Sequence, residues 1–246
     1  MLKLTNNSKT KFYASQRNTF GLLHGLPKNG GTCVGATCGK GGCLDTRDGL
    51  KRKTCYVEKL TQIYKNVGIV LKYNTELLAD KTQEEIIPIL EATVAKFVKK
   101  TKPEFLFFRL HWSGDFMTPA YASAWAEVIK RYPAVRFWVY TRSFRKGEVM
   151  IESLLGLPNL SLFLSCDPNN IADALEFYEK HRDANKNLGL AWMGNSDPNL
   201  KDIKFVVCPA TSGKIKNTKE NGACAKCRLC VNNYVNRIKN IRFLLH

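Results

Sequence analysis

The 246-residue sequence predicts an α/β fold, either a partial (β/α) barrel or an open parallel sheet, with Cys-rich extensions at both ends. Three observations predict it. Short β-rich runs alternate with longer amphipathic stretches through the middle of the chain, as in consecutive βα units. The runs themselves (FLFFRL, VRFWVY, LSLFLS) are nearly continuous in apolar residues, as strands covered on both faces are. Eight of the nine cysteines fall in two groups outside this middle part.

Taken in order, Cys55–Leu78 and Thr82–Lys100 read as long helices separated by Asp80-Lys81. The strands follow at Phe105–Leu110, Val135–Tyr140, Leu160–Ser165, Leu188–Trp192 and Ile203–Val207. Tyr121–Arg131, Glu148–Leu155 and Ile171–His181 read as the helices between them, the first opened by a Thr118 N-cap and Pro119. This divides the chain into a basic Cys-rich segment at 1–60, an α/β core at 61–207 and a second basic Cys-rich segment at 208–246.

The formal charge of +17 sits at the two ends. Residues 1–60 carry 11 Lys and Arg against 3 Asp and Glu, and residues 201–246 carry 10 against 2. A polyanionic partner fits such an excess, nucleic acid first, with a generally basic protein as the plain alternative. The start has no apolar run of signal-peptide length, and no segment approaches a membrane span. The expectation is a cytoplasmic protein with no membrane contact.

Nine cysteines in a reducing compartment point to metal rather than to disulfides. Cys224-x2-Cys227-x2-Cys230, with Cys208-Pro209 upstream, brings consecutive thiolates onto one centre. A 4Fe–4S cluster suits three close cysteines and a distant fourth, whereas zinc uses two separated pairs more often. Zinc stays the competing metal. Cys33-x4-Cys38-x4-Cys43-x11-Cys55 is looser and glycine-rich. Three ligands there would leave an iron open to a substrate, and four would close the site. Cys166 stands alone and reads as a strand-end packing cysteine.

A parallel sheet collects functional groups in the loops after its strands. Here those loops carry His111-Trp112-Ser113-Gly114-Asp115, Thr141-Arg142-Ser143, Cys166-Asp167, Met193-Gly194-Asn195 and Cys208-Pro209. Ser113, His111, Asp115 and Arg142 are the candidate catalytic residues, and Ser113, Gly114, Asp115 and Thr141 the candidate cofactor-binding ones. The plain reading is that Ser113 and Asp115 satisfy loop amides. Cys208 is expected at the same rim, with the C-terminal cysteines closing over it.

Several runs resemble the phage gene-product-88-like proteins. They are Asn18–Leu23, Thr32–Ala36, Cys43-Leu44, Asp48-Gly49, Cys55-Tyr56, His111–Phe116, Ala124-Trp125 and Tyr140–Ser143. The similarity spans roughly residues 18–145, and Cys208-Pro209 with Cys224–Cys230 resembles a subset of the family. Its cysteines and strand-end loops look like those of radical S-adenosylmethionine enzymes, which use a partial barrel and a three-cysteine cluster. That resemblance implies Cys33, Cys43 and Cys55 as cluster ligands and Ser113-Gly114-Asp115 at the cofactor's amino group. The usual CxxxCxxC spacing is absent, and Cys38 is an extra thiol. Two readings follow: an iron–sulfur enzyme with one or two clusters modifying a nucleic acid or a phage-related substrate, or a metal-stabilised nucleic-acid-binding protein without catalysis, in phage replication or transcription.

Overall fold

A computed structural model describes residues 1–33, 55–144, 150–231 and 239–244. The strands are β1 (Phe107–Arg109), β2 (Arg136–Thr141), β3 (Leu160–Cys166), β4 (Leu188–Met193), β5 (Phe205–Val207) and β6 (Asn240–Phe243). They form one parallel sheet in the order β1-β2-β3-β4-β6-β5, which stays open. The open-sheet form of the expected α/β fold is the one found. Among the described residues, no helix is long and apolar enough to cross a membrane.

Strand alternation gives the sheet two unlike faces. Phe108, Phe137, Val139, Leu162, Leu164, Leu188 and Leu190 belong to the main core. The helices α3 (Gln83–Lys99), α4 (Pro119–Arg131) and α5 (Ile171–His181) pack into that core, as do Phe20 and Leu22 of the N-terminal segment. Trp125 of α4 is fully buried, stacked on Phe20 at 5.7 Å and 6.4 Å from Phe137. Asn159 donates to the carbonyls of Ile129, Tyr132 and Val135, and so ties the α4–β2 turn to the start of β3. Cys166 lies in the same core, its thiol 3.6 Å from the Ala191 carbonyl, as a packing cysteine would.

Local signals place the helix starts. Thr118 caps α4 by accepting from the Tyr121 N–H at 3.1 Å, with Pro119 at the first turn. Thr82 and Glu85 form a reciprocal capping box at α3.

Four expectations need correction. The helix read over Cys55–Leu78 is two helices, α1 (Tyr56–Ile63) and α2 (Lys65–Glu76), because Tyr64 is extended between them. The Glu148–Leu155 helix is absent from its described part, where Glu152–Leu154 forms only a 3-10 turn; residues 148 and 149 lie outside the described residues. Gly156 at φ 74° and Pro158 just beyond stop any continuation. The first strand starts at Phe107 rather than Phe105, since Pro103–Phe105 is a 3-10 turn. The fifth begins at Phe205, after left-handed Asn199 and Asp202. The sixth, β6, inserts between β4 and β5 from the C-terminal segment.

The β1 edge is covered by the N-terminal segment. Arg109 N–H donates to Asn18 O, Trp112 N–H to Phe20 O and Leu22 N–H to Ser113 O, each at 2.9 Å. That cover protects an otherwise exposed strand edge.

Candidate metal centre

The sheet face turned away from the helices is covered by the two chain ends. Phe12 stacks on Phe107 at 4.4 Å and packs with Trp138, Ala225 and Val231. Beside it, Cys208, Leu229 and Cys230 pack on Phe163, Ala191 and Ile241. The C-terminal cysteines therefore lie against this face. Cys208 directly follows β5, at the carboxyl end of the parallel strands as expected, and bonds to β6 through its N–H and Arg242 O at 2.8 Å, which sets Cys208 and Cys230 over Phe163 and Phe243.

Short-range geometry shapes the cysteine loop. The single helical turn α6 (Ala223–Cys227) sets Cys224 and Cys227 three residues apart on one side. Arg228, in the left-handed region at φ 54°, then reverses the chain and returns Cys230 to the sheet. Its guanidinium lies 5.5 Å from the Phe12 ring and 5.3 Å from the Phe107 ring. Gly222 N–H donates to Lys11 O at 2.8 Å, and Cys224 N–H to Lys9 O at 2.9 Å. The two basic ends thus join beside the thiols.

The four thiols are electrostatic neighbours. Burial pushes Cys224 up to about 11, Cys208 and Cys227 push it further the same way, and Arg109 and Lys9 oppose them. Burial also raises Cys230, with Cys224, Cys208 and Cys227 adding to the effect and a hydrogen bond to the Tyr140 hydroxyl lowering it. Cys227 is raised as well, by burial first. Without metal these three thiols hold their protons at neutral pH. Among the described residues, no three His, Cys, Asp or Glu side chains form a group set to hold a metal ion. The thiols are gathered but not closed around a single ion.

Of the N-terminal candidates, Cys33 and Cys55 are partly exposed. Cys38 and Cys43 lie outside the described residues.

The loops after β1 and β2 are knitted together inside the protein. Asp115 accepts from Thr141 Oγ1 at 2.6 Å, from Arg142 N–H at 2.7 Å and from Phe116 N–H at 2.8 Å. Burial still moves its carboxyl upward, against these hydrogen bonds. Arg142 reaches on to Asp167 after β3, with N···O 2.5 Å. Ser113 Oγ donates to Leu22 O at 2.8 Å. Gly114 sits at φ 78°, where an added Cβ would meet Thr32 Oγ1 at 2.4 Å. Ser113, Asp115, Thr141 and Arg142 are each no more than 4% exposed.

The structure thus brings Asp115, Thr141 and Arg142 into one network and turns Ser113 and Gly114 toward residues 22–32. His111 is separate from them. At φ 41° it turns into the aromatic core, 2.7 Å from the Tyr121 hydroxyl, where burial and then Arg109 depress it to about 3. It is a neutral imidazole among Phe20, Phe116 and Tyr121.

Sequence reading missed Asp167 as the partner of Arg142, and Tyr140 and Arg109 as neighbours of the cysteines. Counting alternate residues back from the ends of β1 and β2 would have set Arg109 and Tyr140 on the face opposite Phe108 and Val139.

The family described as gene product 88 matches residues 1–233. The gene 88 protein of Mycobacterium phage L5 is 34% identical over 239 residues, covering 94% of each chain. The gene 88 protein of Mycobacterium phage D29 is 32% identical over 240 residues, again covering 94% of each. No solved structure matches the chain.

Proposed function

The chain belongs to the gene product 88 family, and we propose that it is an iron–sulfur protein whose C-terminal centre staples its two basic ends into a nucleic-acid-binding face. The ligands are Cys208, Cys224, Cys227 and Cys230. The observation that carries this reading is the junction of Gly222 and Cys224 with Lys11 and Lys9, made where the four thiols gather.

One feature favours a cluster over zinc: the CxxCxxC spacing with a distant Cys-Pro is that of cubane ligands. A bound cluster would supply a fixed cross-link and one-electron redox capacity. Zinc on the same four cysteines is the competing occupant. Cys33, Cys38, Cys43 and Cys55 are the ligand set for a second cluster.

Charge supports the nucleic-acid role. Residues 1–33 contain Lys3, Lys9, Lys11, Arg17 and Lys28 and no acid. The C-terminal segment contains Lys214, Lys216, Lys219 and Lys226, and Lys11 Nζ donates to the Lys219 carbonyl at 2.6 Å. Phosphates on this surface would release counterions, so binding would weaken with a log–log slope of about −0.9 per phosphate as salt rises.

S-adenosylmethionine chemistry, with Cys33, Cys43 and Cys55 holding an open cluster and Ser113 to Asp115 holding the cofactor's amino group, has weaker support. The polar atoms that reading needs are spent on Leu22, Thr141, Arg142 and Phe116.

The test is fluorescence-anisotropy titration of single- and double-stranded DNA and of RNA at several salt concentrations, with metal-loaded and chelator-treated protein. Steep salt dependence with weaker binding after metal removal is expected. Absent or salt-insensitive binding would sink the nucleic-acid role.

A further inference from the structure

A cleft of about 390 Å³ opens at the amino end of the sheet, where the last turn of α5 meets the starts of β5 and β6. It lies at the opposite end of β5 from Cys208. Tyr178, Arg182, Asp202, Lys204, Lys239 and Asn240 are among its walls.

The sheet register brings cations together there. Phe205 and Asn240 are partners in parallel strands, so Lys204 and Lys239 each stand one position upstream, on strand starts about 4.8 Å apart. Like charges so placed repel each other. Neither lysine belongs to an ion pair between described residues. Arg182, at the end of α5, holds its guanidinium carbon 5.5 Å from the Tyr178 ring centre. Its pair with Asp183 is long, at 3.7 Å, and the acid's side chain is 84% exposed, so it neutralises little of the charge.

A buried donor completes the set. Asn240 is only 9% exposed, and its side-chain oxygen accepts from the Leu190 N–H at 2.8 Å. That bond fixes the amide and leaves its NH2 as the end with hydrogen bonds to give. Three cations against the one carboxylate, Asp202, leave the lining at +2. A phosphate monoester carries about −1.5 to −2 at neutral pH, whereas each phosphate of a nucleic-acid backbone carries one charge. The volume exceeds what a bare phosphate needs and falls in the range of about 300–1,000 Å³ typical of small-ligand sites.

We propose that this cleft binds a phosphate monoester, with Lys204, Lys239 and Arg182 around the phosphate oxygens and Asn240 donating from β6. Such a group comes from a small phosphorylated molecule or from the end of a nucleic-acid strand. The inference depends on neither the cysteines nor the basic face proposed above.

The experiment is isothermal titration of the full chain, at fixed ionic strength, with adenosine monophosphate, adenosine, and a single-stranded oligonucleotide with and without a terminal phosphate. Phosphate-dependent binding is expected, and Lys204→Gln and Lys239→Gln should each weaken it about tenfold or more, the worth of one hydrogen bond to a charged group. Lys96→Gln, the same charge change on exposed α3 surface, should bind as wild type does. A terminal phosphate that strengthens the oligonucleotide, with the gain lost in Lys239→Gln, supports the proposal with a strand end as the source. Binding of the monophosphate with no such gain supports it with a small molecule as the source. No binding of either phosphorylated probe, adenosine binding as tightly as its monophosphate, wild-type affinity in both cleft variants, or an equal loss in Lys96→Gln would each overturn it.

Discussion

Cys224 gives its backbone N–H to the carbonyl of Lys9 at 2.9 Å, joining the C-terminal cysteine loop to the opposite end of the chain. The approach is close enough that a Cβ on the adjacent Gly222 would meet Lys9 O at 2.2 Å. Gly222→Ala should force these segments apart at a cost of about 1–3 kcal/mol. Faster amide exchange over residues 9–12, measured by mass spectrometry, is the expected result. Unchanged exchange would mean that the junction is not held there.

Asp115 is the knot between the first two strand loops. Asp115→Ala would strand the Thr141 hydroxyl and the Arg142 and Phe116 amides in a buried site. Each unsatisfied group costs about 1–3 kcal/mol, so urea denaturation should show a loss of about 3 kcal/mol or more. A loss near zero would place Asp115 outside the structural network.

Arg142 and Asp167 form an ion pair with side chains 5% and 0% exposed. Asp167→Asn removes the carboxylate charge from this buried pair, and removing one partner of a buried pair costs about 3–5 kcal/mol. Asp167→Asn should unfold at correspondingly lower urea. Wild-type stability in that variant would contradict the pairing.

His111 makes stability depend on pH. Its folded value, about 3, lies below the ordinary 6.5 because of burial, so the folded state resists its protonation. Its contribution is therefore intact above 6.5 and is lost as the pH falls from 6.5 toward 3, at about 1.4 kcal/mol per unit. His111→Gln lacks this titration, and the stability gap between the two proteins should narrow steadily on acidification. A pH-independent gap would refute it.

The sheet was legible because its central strands are long apolar runs, and α4 because Thr118-Pro119 announces its start. The sixth strand was not read, since Asn240–Phe243 is only four residues long. Its alternation of Ile241 and Phe243 with Asn240 and Arg242 was the available signal. The strand-end loops were legible as places where polar residues collect, but sequence alone could not say where their hydrogen bonds go. Asp115 meets Thr141 only because β1 and β2 are adjacent and parallel. The cysteine spacing identified the ligand candidates without revealing that they lie on the sheet's face over Tyr140.

The central claim is that Cys208, Cys224, Cys227 and Cys230 hold a cluster. Iron, acid-labile sulfide and zinc should be quantified in anaerobically purified wild type and Cys227→Ser. The account predicts iron and sulfide in equal amounts, with one cluster's share missing from Cys227→Ser. Zinc without sulfide, or iron and sulfide undiminished in Cys227→Ser, would contradict it.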